Sequence, residues 1–290
     1  MKDVFIIDFI AGWVGGLVSL AFTYPLDTIK VRQQNFSASL YIAIRETYRH
    51  EGILAFYKGL LSPMIAYGPS NSIFFGLHGI CLRCLQHRSI YPYMVDNNMN
   101  EFYLKQFYAG SFAGFFQAAV MCPVELVKTV LQTTTDGASP WVHNSYTIQY
   151  SGPVEAFRGI INQDGFKGLY RGFIPMLIRD VPTSGIYFVV YEALLPENRT
   201  VYSYLWAGGW AGILSTSTVL PADVVKTRIQ ADNPIYPSYH GSTDCIKKLY
   251  NEFGARIFWK GLPIITLRAF PSHAIMFVGY EITIYLLQSV

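Results

Sequence analysis

Three prolines, Pro25, Pro123 and Pro221, stand 98 residues apart, and each opens a near-copy of one short string. The strings read Pro25-Leu-Asp27-Thr-Ile-Lys30-Val-Arg32-Gln-Gln34, Pro123-Val-Glu125-Leu-Val-Lys128-Thr-Val130-Leu-Gln132 and Pro221-Ala-Asp223-Val-Val-Lys226-Thr-Arg228-Ile-Gln230. A fixed internal period constrains the fold more than any local propensity, because each copy must adopt one supersecondary unit and pack on its neighbours. Here each unit places an acid three residues before a base, just past an apolar run that ends in proline. Such a string has reason to recur if the copies meet.

Two more features keep the same register. Glycine pairs four apart precede the prolines, at Gly12 and Gly16, Gly110 and Gly114, and Gly208 and Gly212. Small residues at this spacing share a helix face and admit a neighbouring backbone. An aromatic-basic-glycine triplet follows each string: Tyr57-Lys58-Gly59, Tyr170-Arg171-Gly172 and Trp259-Lys260-Gly261. The chain divides into repeats at 1–90, 100–196 and 200–290 that form one closed unit.

Each repeat carries two apolar stretches. The first run Val4–Tyr24, Phe102–Cys122 and Tyr202–Leu220; the second run Leu61–Leu85, Phe173–Leu195 and Leu262–Leu287. All approach the ~20 residues that cross a bilayer as a helix. Composition agrees: 14% of residues are charged, 51% are hydrophobic and 16% are aromatic, whereas a soluble domain carries roughly 25% charge. The second stretches hold Pro69, Pro182 and Pro271, which predict kinks that neighbouring helices re-satisfy. Between the stretches, Gly152–Asp164 and Ser242–Glu252 space their apolar residues as short amphipathic helices on a membrane surface. The predicted fold is an all-α membrane protein of six transmembrane helices in three repeats, with both termini on one side. The polar segment Thr133–Gln149 is an insertion peculiar to the second repeat.

Several function classes recede. A net charge of +3, spread over all repeats, does not describe a nucleic-acid partner. No nucleophile elbow, phosphate-binding loop or dinucleotide fingerprint marks an enzyme. The histidines lack metal-ligand spacing, and Cys81-x-x-Cys84, without a second pair, reads as two small apolar residues near a helix end; Cys122 and Cys245 add no disulfide framework. The start of the chain shows neither a secretory signal nor an Arg-rich presequence, so targeting is expected to be internal. The sequon at Asn198 matters only if its loop faces a secretory lumen.

Ionisable residues near a membrane span are costly and face protein or water. An acid and a base three apart share a helix face. Three copies around a ring then pair across repeats: Asp27 with Lys128, Glu125 with Lys226, and Asp223 with Lys30. Six alternating charges would plug a central path until all three pairs part, which is a gate. The competing reading, solvated helix ends with local i,i+3 pairs, suits one copy better than three in register.

These residues resemble the mitochondrial carrier family in nearly the whole chain. The resemblance implies an inner-membrane solute transporter that opens a central site alternately to either side, with no cofactor and no catalytic residue. It implies that the six charges form the matrix-side gate, that Gln34, Gln132 and Gln230 brace it, and that the amphipathic helices lie on the matrix side. Cardiolipin as a structural lipid would be held at Gly59, Gly152, Gly172, Gly241 and Gly261. The short strings around Arg179 and Arg268 look closest to the carnitine/acylcarnitine and basic amino-acid branch.

Three departures from the family pattern stand out. Val130 replaces the second base of repeat two, and Phe253 stands where repeats one and two have Glu51 and Asp164. The family's second gate, on the cytoplasmic side, is poorly kept. Glu192 and Glu281 are present, Gly79 supplies no acid, and Leu82, Leu195 and Ile284 replace its bases. Tyr191 and Tyr280 hydroxyls, or packing, would close that side.

The resemblance puts solute contacts at Ala66-Tyr67, Arg179-Asp180 and Arg268-Ala269. Arg179 beside Asp180 complements a zwitterion: a carboxylate on Arg179 or Arg268, a cationic nitrogen on Asp180. Tyr67, Tyr187 and Trp210 offer cation–π contact or simple packing. The bland alternative for Arg179-Asp180 is a self-neutralising pair that orders its helix. His273 is a candidate proton relay. The expected partners are thus a small zwitterionic or cationic solute and membrane lipid. One chain supplies all three repeats, so a monomer suffices. The alternatives are a transport-dead, carrier-shaped receptor or adaptor, which has no need of six alternating charges, and an uncoupler-like proton carrier, which the Arg179-Asp180 pair disfavours.

Overall fold

A computed structural model describes residues 2–85, 99–133, 150–196, 200–232 and 237–288. Among them the regular structure is entirely helical. The first repeat forms α1 (Lys2–Phe36), α2 (Leu40–Glu51), a 3-10 turn and α3 (Leu61–Leu85). The second forms α4 (Met99–Thr133), α5 (Pro153–Gly168) and α6 (Phe173–Leu194). The third forms α7 (Val201–Thr218), α8 (Leu220–Ala231), α9 (Ser242–Phe253), a second 3-10 turn and α10 (Leu262–Gln288). The sequon at Asn198 and almost all of the repeat-two insertion lie outside the described residues.

The proline that opens each string does not act alike in the three copies. Pro25 and Pro123 sit inside continuous 35-residue helices. In the third copy the helix breaks at Val219, and Pro221 falls in the first turn of α8, where its missing N–H costs nothing. The apolar stretch expected to end at Leu220 therefore ends at Thr218, and the charged string has a helix of its own. Pro69, Pro182 and Pro271 lie inside α3, α6 and α10, with helix on both sides.

The long helices close a ring. α1 packs on α3 and α10, α4 on α3 and α6, and α7 on α6 and α10. Glycine permits the tightest of these crossings. A Cβ on Gly110 would stand 2.8 Å from the Ser184 carbonyl, and one on Gly114 would stand 3.1 Å from the Asp180 carbonyl. The repeat-two pair thus lets α4 lie against the backbone of α6 at the level of Asp180. In repeat one the backbone approach uses Gly15 against Gly279, while Gly16 is covered by the Tyr67 ring.

Buried apolar side chains gather at one end of the ring. Ile29 with Ala43 and Phe56, Leu126 with Ala156 and Ile160, and Val224 with Cys245 and Leu249 form three small cores. Each packs a charged string on the amphipathic helix that follows it, and the first also takes in Ile264 of α10. The outward faces show the opposite pattern, with Phe22, Ile65, Phe75, Ile178, Tyr202 and Leu267 exposed. An apolar exterior around charged inner residues is the pattern of a protein solvated by lipid. Among the described residues, two helices are long and apolar enough to span a membrane by composition alone, Asn100–Thr133 and Phe173–Leu194. The other long helices are less uniformly apolar; α3, for example, interleaves Ser, Asn, His and Arg with its apolar residues.

Six glycines at matching places in the repeats hold positive φ. Gly52, Gly165 and Gly254 have φ of 77°, 67° and 70°; Gly59, Gly172 and Gly261 have 82°, 81° and 98°. The first set turns the chain out of α2 and α9 and interrupts α5 three residues before its end. The second set is the triplet glycine, which turns the chain into α3, α6 and α10. At those positions a side chain would be strained by backbone conformation alone.

Candidate functional site

The three strings meet at the end of the ring that carries the buried cores. Lys128 lies 3.0 Å from Asp27 and Lys30 lies 2.7 Å from Asp223, while Lys226 pairs with Glu125. Each pair joins one repeat to another. Side-chain exposures of 5–25% keep all six charges largely out of solvent, so each is held by pairing rather than hydration.

Two arginines from the other set of helices extend this ring. Arg268 of α10 bonds Asp27 at 2.8 Å. Arg179 of α6 places its Nε 2.5 Å from Asp180, its Nη1 3.0 Å from Asp223 and its Nη2 3.0 Å from Glu125. The five cations and four carboxylates fall into two bonded sets, Lys128–Asp27–Arg268 and a larger one in which Arg179 joins Asp180, the Lys30–Asp223 pair and the Lys226–Glu125 pair. The sequence indicated that Arg179 and Asp180 sit together but not that Arg179 reaches the strings. That contact spans 54 residues of sequence to Glu125 and 44 to Asp223, and depends on how α6 lies beside α4 and α8.

These side chains line a cavity of about 280 Å³, together with Thr183, Thr216 and Ile265. The cavity brings Arg179, Asp180 and Arg268 to the same space as all six string charges. Tyr67 and Tyr187 are not among its lining residues. Tyr67 packs over Gly16, and Tyr187 stacks on Tyr191 with ring centroids 5.9 Å apart. Trp210 meets Trp206 and Phe270 edge-on. The side chains of His273, Tyr280, Glu281 and Ile284 lie outside the described set.

The three glutamines form a second layer with their own rotation. Gln132 Nε2 donates to Thr28 Oγ1 at 3.1 Å, while Gln230 Oε1 accepts from Thr129 at 3.1 Å. Gln34 accepts from Thr227 at 3.0 Å and also donates to Asp223 Oδ2 at 3.0 Å. Gln34 thus touches a string carboxylate, and Gln132 and Gln230 bond threonines beside the lysines or acids. All three are fully buried.

A third layer exploits the departures from the repeat. In repeat one, Arg32 makes a bidentate pair with Glu51 at 2.7 and 2.9 Å, and its Nε donates to the Gln132 carbonyl at 3.0 Å. Lys58 of the triplet reaches the same Glu51 at 2.5 Å. Burial pushes the Glu51 carboxyl up, but Arg32 and Lys58 outweigh it and hold it below the usual carboxylate range. In repeat three, Arg228 Nε donates to the Gln34 carbonyl at 2.7 Å, and its guanidinium stands 5.8 Å from the centroid of the Phe253 ring. An aromatic ring thus meets the Arg228 guanidinium, where in repeat one the Glu51 carboxylate bonds the edge of Arg32. In repeat two Val130 has no donor, and Arg171 of the triplet supplies one, donating to the Gln230 carbonyl at 3.0 Å. A guanidinium therefore reaches the carbonyl of each glutamine, although one comes from a different place in its repeat.

The triplet glycines pack directly on these layers. A Cβ on Gly172 would stand 2.9 Å from Gln230 Cγ, and one on Gly261 would stand 3.2 Å from Gln34 Nε2. On Gly59 it would meet the Lys128 carbonyl at 3.2 Å. Gly152 and Gly241 differ: each precedes the first residue of an amphipathic helix, with open space where a side chain would be. Among the described residues no cluster of metal-ligating side chains occurs, and Cys81, Cys84, Cys122 and Cys245 are free thiols.

The comparison with known proteins follows the repeats. The family model described as mitochondrial carrier protein matches residues 2–89, 100–195 and 197–290. Mouse solute carrier family 25 member 45 is 37% identical over 97% of this chain and 98% of its own length. Mouse solute carrier family 25 member 48 is 35% identical over 97% of this chain and 95% of its own length. The human mitochondrial basic amino acids transporter is 34% identical over 96% and 89%. With all three repeats matched and these identities sustained end to end, the chain belongs to the mitochondrial carrier family.

Proposed function

We propose that this carrier exchanges a small zwitterionic or cationic solute, of the amino-acid or carnitine kind, across the mitochondrial inner membrane. The observation that carries the reading is that Arg179, Asp180 and Arg268 line one cavity together with the inter-repeat ion pairs. Five cations face four carboxylates there, so the fixed charges favour a solute that brings a carboxylate, while Asp180 offers a site for its cationic nitrogen. The printed name of one relative, a basic amino acids transporter, agrees with that chemistry.

In this reading the six string charges are the gate on the side of α2, α5 and α9, which is the matrix side, and they are closed in this conformation. Gln34, Gln132 and Gln230 brace it, Gln34 by direct contact and the other two through threonine. The six long elements of the ring cross the bilayer, because their outward faces are apolar and their backbone bonds are satisfied internally. Gly152 and Gly241, at the starts of amphipathic helices, suit a lipid phosphate such as that of cardiolipin. Gly59, Gly172 and Gly261 serve such a lipid less directly, since they pack on the gate layers.

The test is uptake into liposomes by the purified chain. Preloaded vesicles should exchange labelled carnitine, lysine, arginine or methyl-lysine, and failure with all of them overturns the solute class. A proton leak without solute exchange would instead favour the uncoupler-like reading.

A further inference from the structure

Among the described residues, Arg179 is the cation paired with the most carboxylates. Its three nitrogens engage carboxylates on three helices: Asp180 on its own helix α6, Glu125 on α4 and Asp223 on α8. Nη2 is shared between Asp180 Oδ2 and Glu125. Arg268 differs, with one bond to Asp27 and a side chain 35% exposed. In the ring itself, Glu125 and Asp223 each have one lysine, Lys226 and Lys30. A planar guanidinium can bridge several carboxylates where an ammonium cannot hold the same fork.

We propose that Arg179 is the latch of the gate as well as a solute contact, and that a solute opens the gate by taking Arg179 from Glu125 and Asp223. The inference rests on the reading of the chain as a solute carrier. It adds a requirement that the charge ring alone does not impose. A solute that inserts between Arg179 and Asp180 must replace both halves of that pair. Its carboxylate takes the guanidinium, and its cationic nitrogen takes Asp180, which would otherwise be left as an unpaired charge in a confined site. The guanidinium then turns from the two ring acids, leaving each with a single lysine. Two of the three ring pairs, Lys30–Asp223 and Lys226–Glu125, are then simple lysine pairs, while Asp27 keeps both Lys128 and Arg268, and the two unclamped pairs part more readily than when one guanidinium ties them together. A carboxylate alone strands Asp180, and a cation alone leaves Arg179 on the ring. Solutes bearing both charges are therefore the ones that release the latch. Occupying the site and unlocking the path become the same event.

Labelling of the gate reads this without requiring transport. In full-length protein with the four native cysteines replaced by serine, Val31→Cys puts a thiol on the cavity wall beside Lys30. An impermeant thiol reagent is applied to vesicles from the face carrying α2, α5 and α9. Without solute, Arg179→Ala should raise the labelling rate on the order of tenfold, the effect of about 1.4 kcal/mol on an opening equilibrium. Arg179→Lys should also raise it, since one ammonium cannot span three acids, and it serves if the alanine variant shows no cooperative melting transition. Lysine or carnitine should speed labelling of the Val31→Cys parent, while cadaverine and butyrate, each with one kind of charge, should not. Unchanged or slower labelling in a folded Arg179 variant overturns the latch. Equal acceleration by cadaverine or butyrate also overturns it. Solute exchange measured on the same vesicles separates the two claims. Exchange with unaltered labelling sinks the latch alone, and faster labelling without exchange of any zwitterion sinks the solute reading alone.

Discussion

At the scale of single residues, the chemistry is carried by charges that the fold cannot leave unpaired. Glu51 is the clearest case outside the spans, with 1% of its side chain exposed and two cations upon it. Removing one partner of a buried ion pair costs about 3–5 kcal/mol, because the other charge stays behind. Glu51→Ala should therefore lower the unfolding free energy by about 3 kcal/mol, read as a lower melting temperature in detergent. The pH dependence has a definite sign. A carboxyl whose folded pKa is depressed contributes stability that is complete above its ordinary pKa and is lost as pH falls through the folded value. The melting temperature of the wild type should fall in acid below the usual carboxylate range, and Glu51→Gln should flatten that part of the curve. An identical acid limb in the variant would assign the loss to other groups. The motif showed the partners in the strings, because acid and base recur at one spacing. It did not show Arg179 on Glu125 and Asp223, since no periodicity links residues whose helices meet only through tertiary packing.

At the scale of elements, the repeat is legible and its repairs are not. The apolar stretches located most helices to within a few residues, although α1 and α4 run on past Tyr24 and Cys122, through the charged strings, to Phe36 and Thr133. The break at Val219 is a further exception, since Pro221 reads in sequence like its two counterparts inside continuous helices. Val130 and Phe253 read as plain losses in the sequence. In the structure, Arg171 replaces the donor missing at Val130, and Phe253 offers Arg228 an aromatic face where an acid is missing. That arrangement is testable by rescue. Arg171→Ala should destabilise the protein by about 1–3 kcal/mol through an unsatisfied buried carbonyl, and Val130→Arg should restore part of the loss in the double variant. Additive losses in the double variant would show that Val130 and Arg171 do not serve the same carbonyl. Gly172→Ala should be worse than a typical glycine substitution, because positive φ and the 2.9 Å approach to Gln230 act together.

At the scale of the whole molecule, three repeats cooperate because each supplies half of two ion pairs. No repeat can satisfy its own string. Lys30→Ala and Asp223→Ala should each shift the protein towards the conformation open on the side of α2, α5 and α9, and the double variant should shift it by less than the sum. Tyr67 and Tyr187, expected from family positions as solute contacts, are not among the residues lining the cavity in this conformation; Tyr67 packs over Gly16 and Tyr187 stacks on Tyr191. Arg179, Asp180 and Arg268, named from the same positions, do line the cavity. The most direct measurement of the central claim is uptake of labelled lysine or carnitine into preloaded proteoliposomes, wild type against Asp180→Asn. The wild type should show saturable exchange and the variant a loss of roughly a hundredfold, as for the removal of a charge partner worth about 3 kcal/mol. Undiminished uptake by Asp180→Asn, or no uptake of any such solute by the wild type, would contradict that claim.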